Sequence, residues 1–299
     1  MGVSELKARA DRLQRSRPVL GVAVAVAKKY GDDRAGQWAA LITYYGFFSM
    51  FPLLMVAFTV LGFLLQGDPE LRADIAATMA EHFPLPGIEA GELQGSGVAL
   101  AVGLLLAMWS GLGATQVAQD AVNGAWHVAR AEQPKFLVKR LRGVLTLGVV
   151  AGGIVASTAV GGLVSLLGPV ARLGGWLGAL AVSTLLVAGV TRTLLVEARS
   201  WRELWPGALL TALGWTALQA VGSWYVQGLI DRADKTYGTF AVVIGLLSWI
   251  YLQSQVFMLG VELSVVRRER LWPRALDKED PTDADRRAIE LITQREASR

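Results

Sequence analysis

The sequence predicts an all-α polytopic membrane protein, built from six transmembrane helices plus short interfacial helices. Two observations carry that prediction. Apolar residues gather in six long runs, and the charged residues fall between them. Hydrophobic residues make up 53% of the 299 positions and charged residues only 18%, less charge than an ordinary soluble domain carries. A buried soluble helix explains one such run but not six, because a bilayer needs roughly 20 apolar residues per crossing and soluble helices are usually shorter. There is no cysteine, which excludes disulfides and thiolate chemistry. The opening stretch lacks the small-residue cleavage pattern of a signal peptide.

Residues 1–36 form a basic cytoplasmic or interfacial region. Leu6, Ala10 and Leu13 share one helical face, while Arg9, Arg12 and Arg15 fill much of the rest. Pro18 restarts the chain, and Val19 to Tyr30 is expected to form a second short helix. Lys28, Lys29, Asp32, Asp33 and Arg34 mark the membrane edge, where cations meet anionic head groups. The membrane domain follows over 37–264, with spans at about 38–65, 98–117, 144–167, 176–196, 204–226 and 238–263. Span one contains Tyr44, Tyr45, Ser49 and Pro52, and a proline there frees a carbonyl and tends to kink the axis. The loop after it is acidic, with a short surface helix expected from Pro69 to Phe83. Span three ends at Gly168-Pro169. A charged cytoplasmic tail, coil or helix, occupies 265–299.

Lys and Arg set the orientation. The N-terminal region carries eight of them, the loop after span one carries only Arg72, and residues 119–143 carry five. The turn after span three has Arg172. The next link has Arg199 and Arg202, the loop after span five has Arg232 and Lys235, and the tail has nine. This alternation fits the positive-inside pattern for a multi-pass protein of a bacterial inner membrane with both termini cytoplasmic. The contrast is weakest around span five.

Polar groups near the hydrocarbon are the functional pointers. Substrate or channel candidates are Tyr44, Tyr45, Asp120, Asn123, Arg192, Trp215, Gln219, Tyr251, Gln255 and Glu262. Asp120, Arg192 and Glu262 all fall near the cytoplasmic side, so one polar cluster is expected to gather them, with Arg192 pairing the acids. Such a cluster is either a water-accessible vestibule or a charge network that fixes the bundle. Asp120, Asn123 and His127 recur at helical spacing and share a predicted face. Thr211, Trp215, Gln219 and Ser223 form a polar stripe on span five, facing protein or water. Ser248, Tyr251, Gln255 and Glu262 lie on one broad side of span six, so a shared interior or cavity is expected between the two.

Structural roles are expected for Pro52, for Gly111 and Gly113 as a thinned side or hinge of span two, and for Gly148 and Gly152 as a small-xxx-small packing pair. Gly174 and Gly178 form a similar pair. Enzyme signatures are thin. His82 and His127 are the only histidines, are predicted on opposite sides of the membrane, and accompany no HExxH, Walker or Rossmann pattern. The chain is therefore expected not to be an enzyme and to need no cofactor or metal. Membrane lipids are the expected partners, and no nucleic acid is expected. A homo-oligomer and an unidentified protein partner are both compatible with the sequence.

The stretch Ala40-Leu-Ile-Thr-Tyr-Tyr-Gly-Phe-Phe-Ser-Met-Phe-Pro-Leu-Leu54 resembles the first-span signature of the YihY/BrkB inner-membrane family. Trp205-Pro-Gly-Ala-Leu209 resembles the entry to that family's fifth span. Tyr237-Gly-Thr-Phe-Ala241, Trp249-Ile-Tyr251 and Leu259-Gly-Val-Glu-Leu263 resemble its last, and Asn123 to Trp126 is similar too. Val261 stands where the family usually has a small alanine. The resemblance runs from about Asp32 to Ser264 and implies a six-helix membrane core. The resemblance implies relatives that have carried the label ribonuclease BN, and others associated with virulence or with moving lipid-like molecules. The resemblance supplies no catalytic set. The function expected is a transporter or flippase-like protein for a lipid, amphiphile or small solute. The alternative is a non-enzymatic envelope scaffold.

Overall fold

The computed structural model describes residues 3–64, 97–166, 171–233, 239–276 and 280–297. Every regular element among them is helical. The expected surface helix from Pro69 to Phe83 and the Gly168-Pro169 stop lie outside the described residues.

Two short helices lead. α1 spans Val3–Ser16 and α2 spans Pro18–Asp32. Pro18 suits the first turn of α2 because the amide it lacks would have no intrahelical partner there, and Arg17 precedes it in an extended conformation. α2 ends where Arg34 adopts a φ of 52°, a left-handed conformation that turns the chain into the next helix. α3 (Ala35–Leu64) carries Pro52 inside it, so the carbonyl four residues earlier loses its amide partner.

α4 (Gly97–Ala125), α5 (Phe136–Leu166), α6 (Ala171–Leu194), α7 (Trp201–Ala233) and α8 (Thr239–Arg268) follow, and α9 (Asp283–Ala297) closes the described chain. Among the described residues, four segments are long and apolar enough to cross a membrane: Leu100–Ala125, Phe136–Ser157, Gly174–Leu194 and Val243–Arg268. α3 and α7 are helical over the residues where the sequence predicts the other two spans, and neither is among these four. Large apolar side chains such as Leu105, Trp109, Leu145, Val155, Trp176 and Leu177 stand exposed along α4, α5 and α6. Water would penalise that much outward apolar surface, whereas hydrocarbon solvates it. The helices also run past the predicted span limits. α4 continues beyond 117 to Ala125, α5 starts at Phe136 rather than 144, and α8 continues to Arg268. A helix need not stop at the hydrocarbon edge when its polar end finds protein partners.

The chain divides into two compact units. One comprises 1–42, 115–224 and 251–299, the other 43–114 and 225–250. The larger unit is cored by Val122, Leu194, Leu195, Leu204, Met258 and Val265. A second cluster within it joins α2 to the end of α8 and to α9 through Ala25, Val26, Val266, Leu271 and Ala288. In the smaller unit, Tyr44, Phe47, Phe48 and Phe51 stack along α3 with centroid separations of 4.8–5.5 Å. Tyr45 there lies against Gly113, 3.1 Å from where a Cβ would stand.

Candidate functional site

The last turn of α2 sets Lys29 and Asp33 four residues apart, hence on one helix face. That face is buried, and Lys29 is only 2% exposed. Its ammonium meets three acceptors: the Asp33 carboxylate, Glu262 Oε2 at 2.8 Å, and the carbonyl oxygen of Ala125 at 2.9 Å. Glu262 belongs to α8 and is 0% exposed. Ala125 is the final residue of α4, whose last carbonyls lack intrahelical donors. One side chain therefore ties α2 to the ends of α4 and α8. Burial works against the charged ammonium, but Glu262 and Asp33 outweigh it and hold Lys29 above its ordinary pKa. The trio has one cation for two carboxylates, and Glu262 Oε1 is buried with no hydrogen-bond partner.

Beside this network lies an open cavity of about 480 Å³, lined by Tyr30, Gly31, Arg34, Gly36, Gln37, Ala40 and Tyr251. Tyr30 comes from α2, Gly36 to Ala40 from the first turns of α3, and Tyr251 from α8. The Tyr30 hydroxyl is buried without a hydrogen-bond partner. The cavity walls contain no carboxylate.

The expected cluster of Asp120, Arg192 and Glu262 does not form. Glu262 pairs with Lys29, Asp120 pairs with Lys139 at 2.6 Å, and Arg192 donates to the Arg199 carbonyl at 3.0 Å while lying 5.4 Å over the Trp201 ring. Each acid pairs with a cation other than Arg192. The shared face of Asp120, Asn123 and His127 fails as well. α4 ends at Ala125, and His127 sits in a turn with φ 56°.

Asn123 is buried in a different task. Its Nδ2 donates to the carbonyls of Gln119 at 2.7 Å and Leu194 at 2.9 Å, and its Oδ1 accepts from the Val196 amide at 2.8 Å. Arg142 donates to the carbonyls of Leu195 and Val196. These two side chains cap the C-terminal end of α6, where orphan carbonyls need donors.

Among the described residues, the polar stripes of α7 and α8 make direct helix contacts. Trp215 Nε1 donates to the Gln253 carbonyl at 3.0 Å. A Cβ on Gly207 would overlap the Gly260 carbonyl oxygen, and one on Gly260 would overlap Thr211 Oγ1. Gln255 and Tyr251 are half-buried, while Gln219 is exposed; the side chain of Ser223 lies outside the description. Tyr44 and Tyr45 belong to the smaller unit and are exposed. Gly148 and Gly152, expected to pack, have nothing within 4 Å of a Cβ position, and neither has Gly174. The tight contact on α5 falls instead at Gly153, against Leu186 of α6. The glycine pair itself faces open space.

Sequence reasoning missed Lys29 and the tail. A lone glutamate in the last apolar run needed a cation, and the 25-26-29-33 spacing on α2 marked the face that supplies it. The tail folds onto the N-terminal helices. Arg274 bridges Asp32 and Asp285, each at 2.8 Å, and its carbonyl accepts from Gln14 Nε2 at 2.6 Å. The Leu276 amide donates to Asp11 at 2.9 Å, and Arg15 pairs with Asp280 at 3.2 Å.

A helical chain that turns this much apolar surface outward while burying an ion network at its helix ends is a membrane protein. It belongs to the family described as "Virulence factor BrkB", whose profile matches residues 26–285, in agreement with the motif resemblance. The chain is 26% identical over 300 residues to inner membrane protein YhjD of Escherichia coli (strain K12), covering 91% of this chain and 88% of that protein. It is 32% identical over 261 residues to UPF0761 membrane protein Smlt0865 of Stenotrophomonas maltophilia (strain K279a), covering 79% of this chain but 58% of that longer relative. It is 26% identical over 275 residues to the ribonuclease-like protein YfkH of Bacillus subtilis (strain 168), 81% of this chain and 92% of that protein. No solved structure matches.

Proposed function

We propose that this chain is a six-crossing protein of the bacterial inner membrane that moves a lipid, amphiphile or small solute, without enzymatic chemistry and with both ends in the cytoplasm. The observation that carries the reading is the buried Lys29–Asp33–Glu262 network beside an open cavity, at the level where α3 enters its span. Ionisable groups buried at a spanning helix are costly and mark pathways more often than ordinary packing. Docking of the tail on α1 and α2 supports the crossing count. Two ends in one layer require an even number of crossings, and α3 to α8 supply six. The name of the E. coli relative, an inner membrane protein, supports the location. Membrane lipids are the partners this reading requires.

Proteoliposomes carrying a fluorescent lipid test it. The expected result is faster exchange between leaflets with protein than without, and slower exchange when Glu262 is replaced by Gln. Equal exchange with and without protein, across lipids and small solutes, removes the transport reading. A second reading, an envelope scaffold acting as a homo-oligomer or with another protein, draws on the direct backbone contact of Gly207 with Gly260, which leaves no room for a conduit there. Mild cross-linking in membranes that traps only monomer counts against it.

A further inference from the structure

We infer that the cavity between α2, the start of α3 and α8 binds the phosphate ester head group of an anionic amphiphile, with Arg34 as its anchor. This deepens the transport reading, and rests on it for the claim that the bound molecule is cargo.

Arg34 is exposed, lines the cavity and holds a left-handed φ of 52°. Non-glycine residues in that region are strained and persist where the surrounding fold imposes them. The two acids just before it in sequence are already committed. Asp32 pairs with Arg274, and Asp33 pairs with Lys29 inside the protein. Arg34 thus lines a cavity with no anion in its walls. A guanidinium offers a planar fork of donors that matches two phosphate oxygens. Gln37 adds an amide donor, and Tyr30 and Tyr251 add hydroxyls. One cation with neutral donors suits a singly charged phosphodiester or a phosphate monoester better than a neutral or cationic ligand.

The volume, about 480 Å³, lies within the range of small-molecule sites, roughly 300–1,000 Å³. Its floor continues along α3 to Ala40 and the exposed Leu41, where the span begins. A head group in the cavity would therefore leave its hydrocarbon lying along an apolar helix. A soluble phosphate ester shares the head-group chemistry but gains nothing from that apolar continuation.

The test uses the purified full chain in an uncharged detergent. Binding of dioctanoyl phosphatidic acid is compared with that of dioctanoylglycerol and of glycerol 3-phosphate. The variants are Arg34→Asn, which tolerates the left-handed backbone, Arg34→Lys, which keeps the charge, and Arg12→Asn, an exposed arginine of α1 outside the cavity. Melting temperatures are read in parallel. The expected result is tightest binding of the phosphatidic acid, at least tenfold weaker binding in Arg34→Asn, an intermediate value in Arg34→Lys, and no change in Arg12→Asn. The inference is overturned if Arg34→Asn melts like the wild type and binds as tightly, if Arg12→Asn weakens binding equally, or if dioctanoylglycerol binds as well as the acid. Glycerol 3-phosphate binding as tightly as the lipid overturns the amphiphile and assigns the cavity to a soluble ester. Intact binding without lipid movement in vesicles removes transport and leaves the site. Lipid movement that survives Arg34→Asn with binding abolished removes the site's part in it.

Discussion

Lys29 faces two carboxylates, so deleting it and deleting one of them have unequal outcomes. Lys29→Ala leaves Asp33 and Glu262 buried without a cation, and breaking a buried pair in this way costs about 3–5 kcal/mol. Glu262→Gln leaves a balanced Lys29–Asp33 pair and an amide oxygen that still accepts, so about 1 kcal/mol is expected. Denaturant titration of the two variants in detergent compares them directly, and a Glu262→Gln loss as large as that of Lys29→Ala contradicts this account. The residues of this network were half legible. Glu262 stood out because a charge in an apolar run is expensive. Lys29 did not, because Lys28 and Lys29 at a membrane edge read equally well as lipid contacts, and only the packing of α2 says which of the two points inward. Asp120 and Arg192 were legible as polar but not as unconnected, since sequence gives depth along a helix and not the direction each side chain takes around it.

The four helices long and apolar enough to cross a membrane were legible because bilayer thickness imposes a length that few other environments demand. Helix contacts were not. Gly148 and Gly152 have the spacing of a packing pair but face open space, while Gly207 and Gly260 bring two backbones together without any repeating signature. Spacing marks a flat surface on a helix, and a contact needs a second surface to meet it. Both contact glycines lie within the segments that carry the family resemblance, Trp205 to Leu209 and Leu259 to Leu263. Gly207→Ala or Gly260→Ala drives a methyl group into a carbonyl or hydroxyl oxygen, and about 1–3 kcal/mol of destabilisation is expected from such overpacking. Gly148→Ala and Gly152→Ala meet no neighbour and are expected to be neutral, or stabilising by up to about 1 kcal/mol from reduced chain entropy. Thermal melting of the four variants reads this contrast. Similar losses at all four would mean that α5 packs through the pair after all, against another copy of the chain.

The tail layer gives the molecule an acid sensitivity. Burial raises the Asp285 carboxyl, but Arg274, the Ala275 amide and Thr282 outweigh it and hold the group down at about 2, against 3.8 ordinarily. A depressed acid stabilises the folded state above its unfolded value, and that contribution is lost as pH falls through the folded one. Docking of α9 is therefore expected to weaken between about 4 and about 2, with hydrogen exchange in α9 rising across that window. Asp285→Asn should flatten the rise, and a rise unchanged in that variant would place the sensitivity elsewhere. Topology is open to a clean experiment because the chain has no cysteine. Arg12→Cys and Asp283→Cys are expected to react with an impermeant maleimide from the same side, and labelling from opposite sides would break the shared layer. The tail was illegible in sequence because its mixed charges look solvated until their partners are known, and those partners stand far away in the chain. Gln14 and Arg274 are separated by 260 residues. During synthesis Gln14 and Asp32 therefore stay unmatched until Arg274, made long after them, is in place. A chain halted before Arg274 cannot close this clasp, whatever the helices between have already done.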